Sequence, residues 1–276
     1  MSGVMETFDL SGRTAVITGG AGLLGRRHAE ALAEAGAAIV LADIDAGGLD
    51  AAASELRSKF SADVMPLVLD ITNPDDVSQA ADKVSEKFAS IDILINNAAR
   101  NPKVGPDHDV GFDRFETFAL KTWNDEIAVG LSGAFLCSQA FGNKMAVAGK
   151  GVILNIASDL GIIAPDQGLY SIPGKPASEQ PVKPVTYSVI KSGLIGLTRY
   201  LATYWCDRGV RANALAPGGV EDGQNDEFLA RIAQRIPMGR MAQPDEYKGA
   251  VVFMVSDASS YMNGAVLSID GGRTCW

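Results

Sequence analysis

Only three cysteines and two histidines occur in the 276 residues, and Cys137, Cys206 and Cys275 stand far apart, with no C-x-x-C pair and no histidine cluster beside them. That scarcity excludes a disulfide framework and leaves no ligand set for a metal ion, so free thiols in a reducing, cytoplasmic compartment are the expectation. Long apolar runs are missing as well. None approaches the roughly 20 residues that cross a bilayer, and no basic, apolar leader with a cleavage site opens the chain. Positive charge is in deficit, with 24 Lys and Arg against 33 Asp and Glu and a formal net charge of −9. A nucleic-acid backbone or an anionic membrane surface would repel such a chain, which leaves a small-molecule substrate as the expected partner. His28 falls in a helical stretch and His108 between Asp107 and Asp109 in a loop, and neither is paired with a nucleophile in a recognisable arrangement.

What the chain does contain is glycine, 30 residues of it, spread among Ala- and Val-rich stretches that bring the hydrophobic fraction to 47%. Short β-branched runs at 15–17, 39–41, 64–69, 91–95, 152–156, 210–215 and 266–269 alternate with segments of helical spacing, among them 26–35, 74–88, 123–145, 187–205 and 244–255. Seven strands separated by helices predict one α/β domain over residues 1–276, a doubly wound, seven-stranded parallel sheet with helices on both faces. Two stretches rich in Pro, Gly and Asp, at 100–121 and 160–185, break the rhythm just beyond a strand's carboxyl end, where open α/β sheets bind ligands. They are candidate substrate loops.

After the first strand comes Thr18-Gly19-Gly20-Ala21-Gly22-Leu23-Leu24-Gly25, which contains G-x-G-x-x-G as Gly20, Gly22 and Gly25. Bare Cα positions at a strand-to-helix turn let backbone N–H groups and the helix N-terminus meet a pyrophosphate. The second strand ends at Asp43, about where a Rossmann unit places the acid that binds the adenosine ribose. A carboxylate there repels a 2′-phosphate, and the next residue is Ile44 rather than a cation, so the expected cofactor is NAD. Farther on, Tyr187 and Lys191 share one face of a helix at i, i+4 spacing, and Ser158 follows the strand whose carboxyl end faces the same crevice. Bringing a phenol from pKa about 10 to 7 takes about 4 kcal/mol of preferential stabilisation of the phenolate, for which a close lysine together with the positive nicotinamide of NAD⁺ is the natural source.

Taken in order, Thr18-Gly19 with its glycine turn, Asp70-Ile71, Asn96-Asn97-Ala98-Ala99, Ser158, Tyr187-x-x-x-Lys191, the run from Asn213 to Gly218 and Asp270-Gly271-Gly272 resemble the motifs of the short-chain dehydrogenase/reductase family, nearly end to end. The resemblance implies hydride transfer between a nicotinamide and a carbonyl or alcohol. It makes Tyr187 the general acid/base, Lys191 both the modulator of its pKa and a ligand of the nicotinamide ribose, and Ser158 the donor to the substrate oxygen. It also implies Asp70 and Ile71 near the adenine, Asn97, Ala98 and Ala99 along the cofactor, and Pro217, Gly218 and Val220 beside the nicotinamide. A homo-oligomer, tetramer or dimer, is implied through the helices at 123–145 and 187–205.

Several positions depart from the family's pattern. Leu23 stands where the single-domain form has glycine, a spacing similar to that of nucleotide-sugar epimerases and dehydratases, which are the alternative within the superfamily. Gly130 replaces an asparagine that helps hold a water for proton relay, which raises a second alternative, a catalytically silent NAD-binding regulator. Asp222 stands near a threonine that contacts the carboxamide. Ser158 precedes Tyr187 by more than the usual spacing, which an insertion at 168–185 over the active site explains. Tyr170 is nearer the usual distance, but Gly174 stands four residues on and Lys175 one place too late, so Tyr187 is the expected base. The insertions carry Asp107, Asp109, Asp166, Gln167, Lys175, Glu179, Gln180 and Lys183, polar residues that suit a polyol or sugar.

Overall fold

The computed structural model describes residues 3–100 and 114–275. Seven strands, β1 (Thr14–Thr18), β2 (Ala38–Asp43), β3 (Val64–Val68), β4 (Ile93–Asn96), β5 (Gly151–Ile156), β6 (Val210–Pro217) and β7 (Val266–Ile269), form one sheet in the order β3-β2-β1-β4-β5-β6-β7. Every pairing is parallel; Val16 lies opposite Val40 on β2 and Leu94 on β4. The doubly wound α/β fold expected from the strand and helix rhythm is therefore the one observed.

Because successive side chains on a strand point to opposite faces, the apolar runs feed two separate cores. Ile17, Leu41, Ile95 and Leu154 face one layer, made by α1 (Leu23–Glu34), α2 (Ala46–Phe60) and α8 (Lys248–Val255), and meet Leu32, Leu49 and Val251. Val16, Val40, Leu94 and Ile153 face the other layer, made by α3 (Pro74–Lys87), α5 (Gly133–Ala148) and α6 (Val185–Tyr204), and meet Val77, Phe141 and Leu201. No residue of β1 is left exposed. Among the described residues no helix is long and apolar enough to cross a membrane.

The helix expected at 123–145 is divided. It begins as α4 (Leu120–Ile127), widens into a π turn at Ala128–Ser132 and continues as α5. Gly130 sits buried in that turn, and a Cβ on it would come 2.7 Å from Ile190 Cγ2 on α6. A side chain there would have to displace that of Ile190, so the glycine accompanies close packing of the turn on α6. Helix α2 was not among the segments singled out from the sequence, because Gly47 and Gly48 in its first turn mask the signal; the Asp45 carboxylate caps it by accepting from Gly48 N at 3.0 Å. A short α7 (Asp226–Ala233) was likewise missed. It carries the insertion. Leu169 is buried among Ile232, Ile236 and Met241, Arg231 donates to the Ser171 carbonyl at 2.6 Å, and Arg235 pairs with Asp166 at 2.7 Å.

The order of the strands decides where a ligand can go. The chain runs outward from β1 through β2 to β3, then returns to the other side of β1 with β4, and the crevice opens at the carboxyl ends where that reversal occurs.

His28, on α1, is wholly buried, and neither ring nitrogen has a hydrogen-bond partner, so burial pushes its pKa down from 6.5 to about 4. Between those two values the unfolded chain binds a proton that the folded chain refuses. The stabilisation from the neutral imidazole is complete above pH 6.5 and is lost as pH falls toward 4, a change on the order of 3 kcal/mol. Urea denaturation of wild type and His28→Leu from pH 7.5 to 4.5 should show the variant with the flatter profile; parallel profiles would contradict this assignment.

Candidate active site

At the end of β1 the chain turns through Gly19, whose φ is +66° and whose added Cβ would lie 2.8 Å from Ala98 Cα. Only glycine fits so close an approach. Gly25 is under the same restriction, with an added Cβ 2.0 Å from the Gly19 carbonyl oxygen. Helix α1 then starts at Leu23 and Leu24 with Gly22 as its N-cap, no side-chain cap and no acidic residue in the first turn. Its positive end is left open to an anion. The turn is braced from behind: Asn97 Nδ2 donates to the Thr18 and Gly19 carbonyls at 3.0 and 3.2 Å, and Thr18 Oγ1 accepts from the Asn97 and Ala98 amides, both at 3.1 Å.

Asp43 ends β2 with its carboxylate turned to this loop, accepting from Ala21 N at 3.1 Å and Asp45 N at 3.2 Å. Arg26 grips the same residue from the other side, donating to the Ala21 carbonyl at 2.9 Å and the Gly48 carbonyl at 3.2 Å. Arg26 was missed in the sequence, where it reads as one more helical cation. Ile44 and Ala99 are exposed, Asp70 forms a turn with Thr72, Ile71 is buried, and the Gly20 amide donates to the Ala42 carbonyl at 3.1 Å. At the end of β6, Pro217 is buried, the Gly218 carbonyl accepts from Tyr247 and Val220 bridges to Ala242. A bare glycine turn, an uncapped helix start and a carboxylate at the end of β2 fit a dinucleotide.

The structure brings Ser158 and Tyr187 together across 29 positions of sequence, with Tyr187 OH 3.5 Å from Ser158 Oγ. Ser158 Oγ itself donates to Asp159 at 2.7 Å. Lys191 is fully buried, and its ammonium donates to the Ile156 carbonyl at the end of β5 at 2.7 Å while lying 5.7 Å from the centre of the Tyr187 ring. Burial first, then Lys183, pushes Lys191 down to about 8. Tyr187 also differs from expectation: burial pushes its pKa up, and the Ser158 hydrogen bond opposes that. The protein's own groups therefore do not supply the lowered phenol that the spacing of Tyr187 and Lys191 suggested, because the ammonium is held by a backbone carbonyl and the ring is desolvated.

Three charged groups complete the cluster. Arg273, near the end of the chain, pairs with Asp159 at 2.8 Å, both side chains buried. Lys183 places its ammonium 3.9 Å from the centre of the Tyr187 ring. Glu126 accepts a hydrogen bond from Thr186, one residue before Tyr187. Tyr170 lies within reach of the charges of Asp159, Arg273 and Tyr187, and burial raises it to about 12. Asp222 is exposed, with its amide donating to Gln224 at 2.7 Å. Of the polar residues expected from the insertions, Asp166, Gln167 and Gln180 are engaged in holding the loop itself, and Lys183 alone reaches Tyr187. Asp107, His108 and Asp109 lie outside the described residues. Asp159 and Arg273 were missed, since neither belongs to a local pattern.

A protein-family model described as enoyl-(acyl carrier protein) reductase matches residues 20–274. A D-threitol dehydrogenase of Mycolicibacterium smegmatis is 36% identical over 275 residues, covering 97% of this chain and 95% of its own. A galactitol 2-dehydrogenase (L-tagatose-forming) of Cereibacter sphaeroides is 34% identical, with 98% of both chains covered. Among solved structures, a gluconate 5-dehydrogenase from Burkholderia cenocepacia in complex with NADP and tartrate superimposes with a TM-score of 0.85 at 30% identity, covering 99% of this chain and 100% of that one.

Removing one partner of the Asp159–Arg273 pair leaves a buried charge uncompensated. Arg273→Met is expected to lower stability in urea denaturation by about 3–5 kcal/mol, and Asp159→Asn added to it should restore much of the loss. A single variant as stable as wild type would show that the pair does not form.

Proposed function

The chain belongs to the short-chain dehydrogenase/reductase family, and from that premise we propose that it is an NAD-dependent dehydrogenase of polyol- or sugar-like substrates. The observation that carries the reading is the convergence of Ser158, Tyr187 and Lys191 at the carboxyl end of β5, beside the glycine turn. The threitol, galactitol and gluconate enzymes among its relatives support an oxidoreductase acting on CH–OH groups of polar molecules.

When bound, the nicotinamide accepts the hydride in oxidation and returns it in reduction. The Tyr187 hydroxyl exchanges the proton with the substrate oxygen, and Ser158 Oγ turns its hydrogen bond from Asp159 to that same oxygen. Lys191 holds the nicotinamide ribose, and the Ser158 hydrogen bond and the Arg273 charge oppose the burial that raises the Tyr187 phenol. Asp43 takes the adenosine ribose and repels a 2′-phosphate. The NADP in the Burkholderia relative makes that selection the part to measure. Three free cysteines among the described residues suit a reducing cytoplasm. The assembly we propose is a homo-oligomer, dimer or tetramer. Helices α5 and α6 present exposed Phe135, Tyr200 and Tyr204, the last two stacked at 5.4 Å, as a surface to bury.

A substitution series followed by NADH absorbance tests the reaction. Tyr187→Phe should lose turnover by about 10²- to 10⁴-fold with NAD affinity nearly intact, and Lys191→Ala should lose both. Ser158→Ala should cost on the order of 3 kcal/mol in the chemical step, and Tyr170→Phe should stay active. Wild type should bind NAD more tightly than NADP, a difference that Asp43→Ala narrows. Near-full activity in Tyr187→Phe ends the proposal, and equal affinity for NADP ends the cofactor assignment. Light scattering at micromolar protein should report a dimer or tetramer; a monomer there contradicts the assembly.

A further inference from the structure

The Lys183 ammonium is the one catalytic-cluster cation that the described residues leave without an acceptor. Arg273 has Asp159 at 2.8 Å and Lys191 has the Ile156 carbonyl at 2.7 Å. The polar contact recorded for Lys183 is made by its backbone, which donates to Gln167 Oε1 at 2.8 Å, while its Nζ rests on the face of the Tyr187 ring. The two carboxylates that act on it, Asp159 and Glu126, are already engaged by Arg273 and Thr186. Pro184 and Gln167 fix the backbone on either side of it, so the side chain is delivered to the ring by a braced loop.

The Lys183 side chain is half-buried, and that burial lowers its ammonium to about 8. A cation over an aromatic face gains something from the ring, but the ring offers no hydrogen-bond acceptor for its N–H groups. The charges acting on Tyr187 and its two lysines are Lys183, Lys191 and Arg273 against Asp159 and Glu126. Among the described residues three cations face two anions, which leaves one positive charge in the cluster around the Tyr187 ring. A neutral hydroxyl would satisfy one N–H there and leave the charge, whereas a carboxylate satisfies both.

We propose that Lys183 is the specificity-determining residue of this site and that it receives the carboxylate of a hydroxy-acid substrate, a sugar acid in preference to the corresponding neutral polyol. The inference rests on the dehydrogenase reading and narrows it. Charge pairing with Lys183 holds the acid with its carbinol at Tyr187 and Ser158, so that the residue acts on substrate affinity while leaving the proton transfer to Tyr187.

Matched pairs that differ only in the terminal group test this, gluconate with glucitol and threonate with threitol, in steady-state kinetics with saturating NAD. Wild type should favour each acid by about tenfold or more in kcat/KM, chiefly through KM. Lys183→Met and Lys183→Gln should collapse that acid-to-polyol ratio toward one, and Lys183→Arg should retain most of it. A ratio that the first two substitutions leave unchanged overturns the proposal whatever happens to the absolute rates, as does a wild type that favours the polyols. Calorimetric titration of gluconate into the NADH-loaded protein separates this from failure of the reaction itself. Binding about tenfold weaker in Lys183→Met supports the carboxylate site even if none of the four compounds is turned over, and equal binding removes it.

Discussion

Lys191 is wholly desolvated, and its charge is sustained by the carbonyl of Ile156, the last residue of β5. That single bond ties α6 to the sheet at the point where the crevice opens. With the ammonium fixed, the tyrosine one turn earlier on the helix has little freedom, and its hydroxyl arrives 3.5 Å from Ser158, two residues beyond the same strand. The π turn is the counterpart on the neighbouring helix. Gly130 lets the Ile190 side chain pack directly on that turn, where an added Cβ would come 2.7 Å from its Cγ2. A buried network of side chains reinforces the arrangement. Asn96 donates to Asn155 at 2.8 Å and to Ser138 at 3.0 Å, and Asn155 donates to Thr198 at 2.8 Å, joining β4, β5, α5 and α6.

Desolvation sets the character of the site. It raises Tyr187 and lowers both lysines, all against what an exchange of protons near neutral pH requires. Charges from several parts of the chain act on this cluster: Arg273, from the chain's end, lowers the Tyr187 phenol while Asp159 raises it, and Asp159 and Glu126, from α4, both raise Lys183. Among the described residues Lys183 is the cation of the cluster whose ammonium has no acceptor, and the proposed recognition of an anion rests on it. The insertion matters less for its polarity than for its rigidity. Its acid and amides hold its own backbone and α7, and a loop so braced can carry one ammonium to one ring.

The cofactor side of the crevice was the more legible half. Strand boundaries were anticipated to within a residue or two because a sheet covered on both faces leaves short continuous apolar runs, and the glycine turn was visible because Gly19 and Gly25 occupy positions where any Cβ would collide with backbone. Asp43 was found by its place at the end of the second strand. Where the local signal was weak, sequence reading failed in an understandable way: α2 opens on two glycines, and the π turn has the same apolar spacing as the helices on either side.

What the sequence by itself determined is therefore everything set by neighbours a few residues apart: the strands, most helices, the turn that meets the pyrophosphate, and the shared face of Tyr187 and Lys191. Tertiary structure alone decided which charges surround the phenol. Asp159 and Arg273 are 114 positions apart and Glu126 and Thr186 are 60 apart, and no periodicity links them. Lys183 is four residues from Tyr187, yet it precedes Pro184 and the first turn of α6, so helical spacing does not apply to it. Its ammonium reaches the ring because Gln167, sixteen positions earlier, holds its backbone there. Proximity of that kind is produced by the closing of the sheet and the folding of the insertion upon it, and it exists only once the chain has folded.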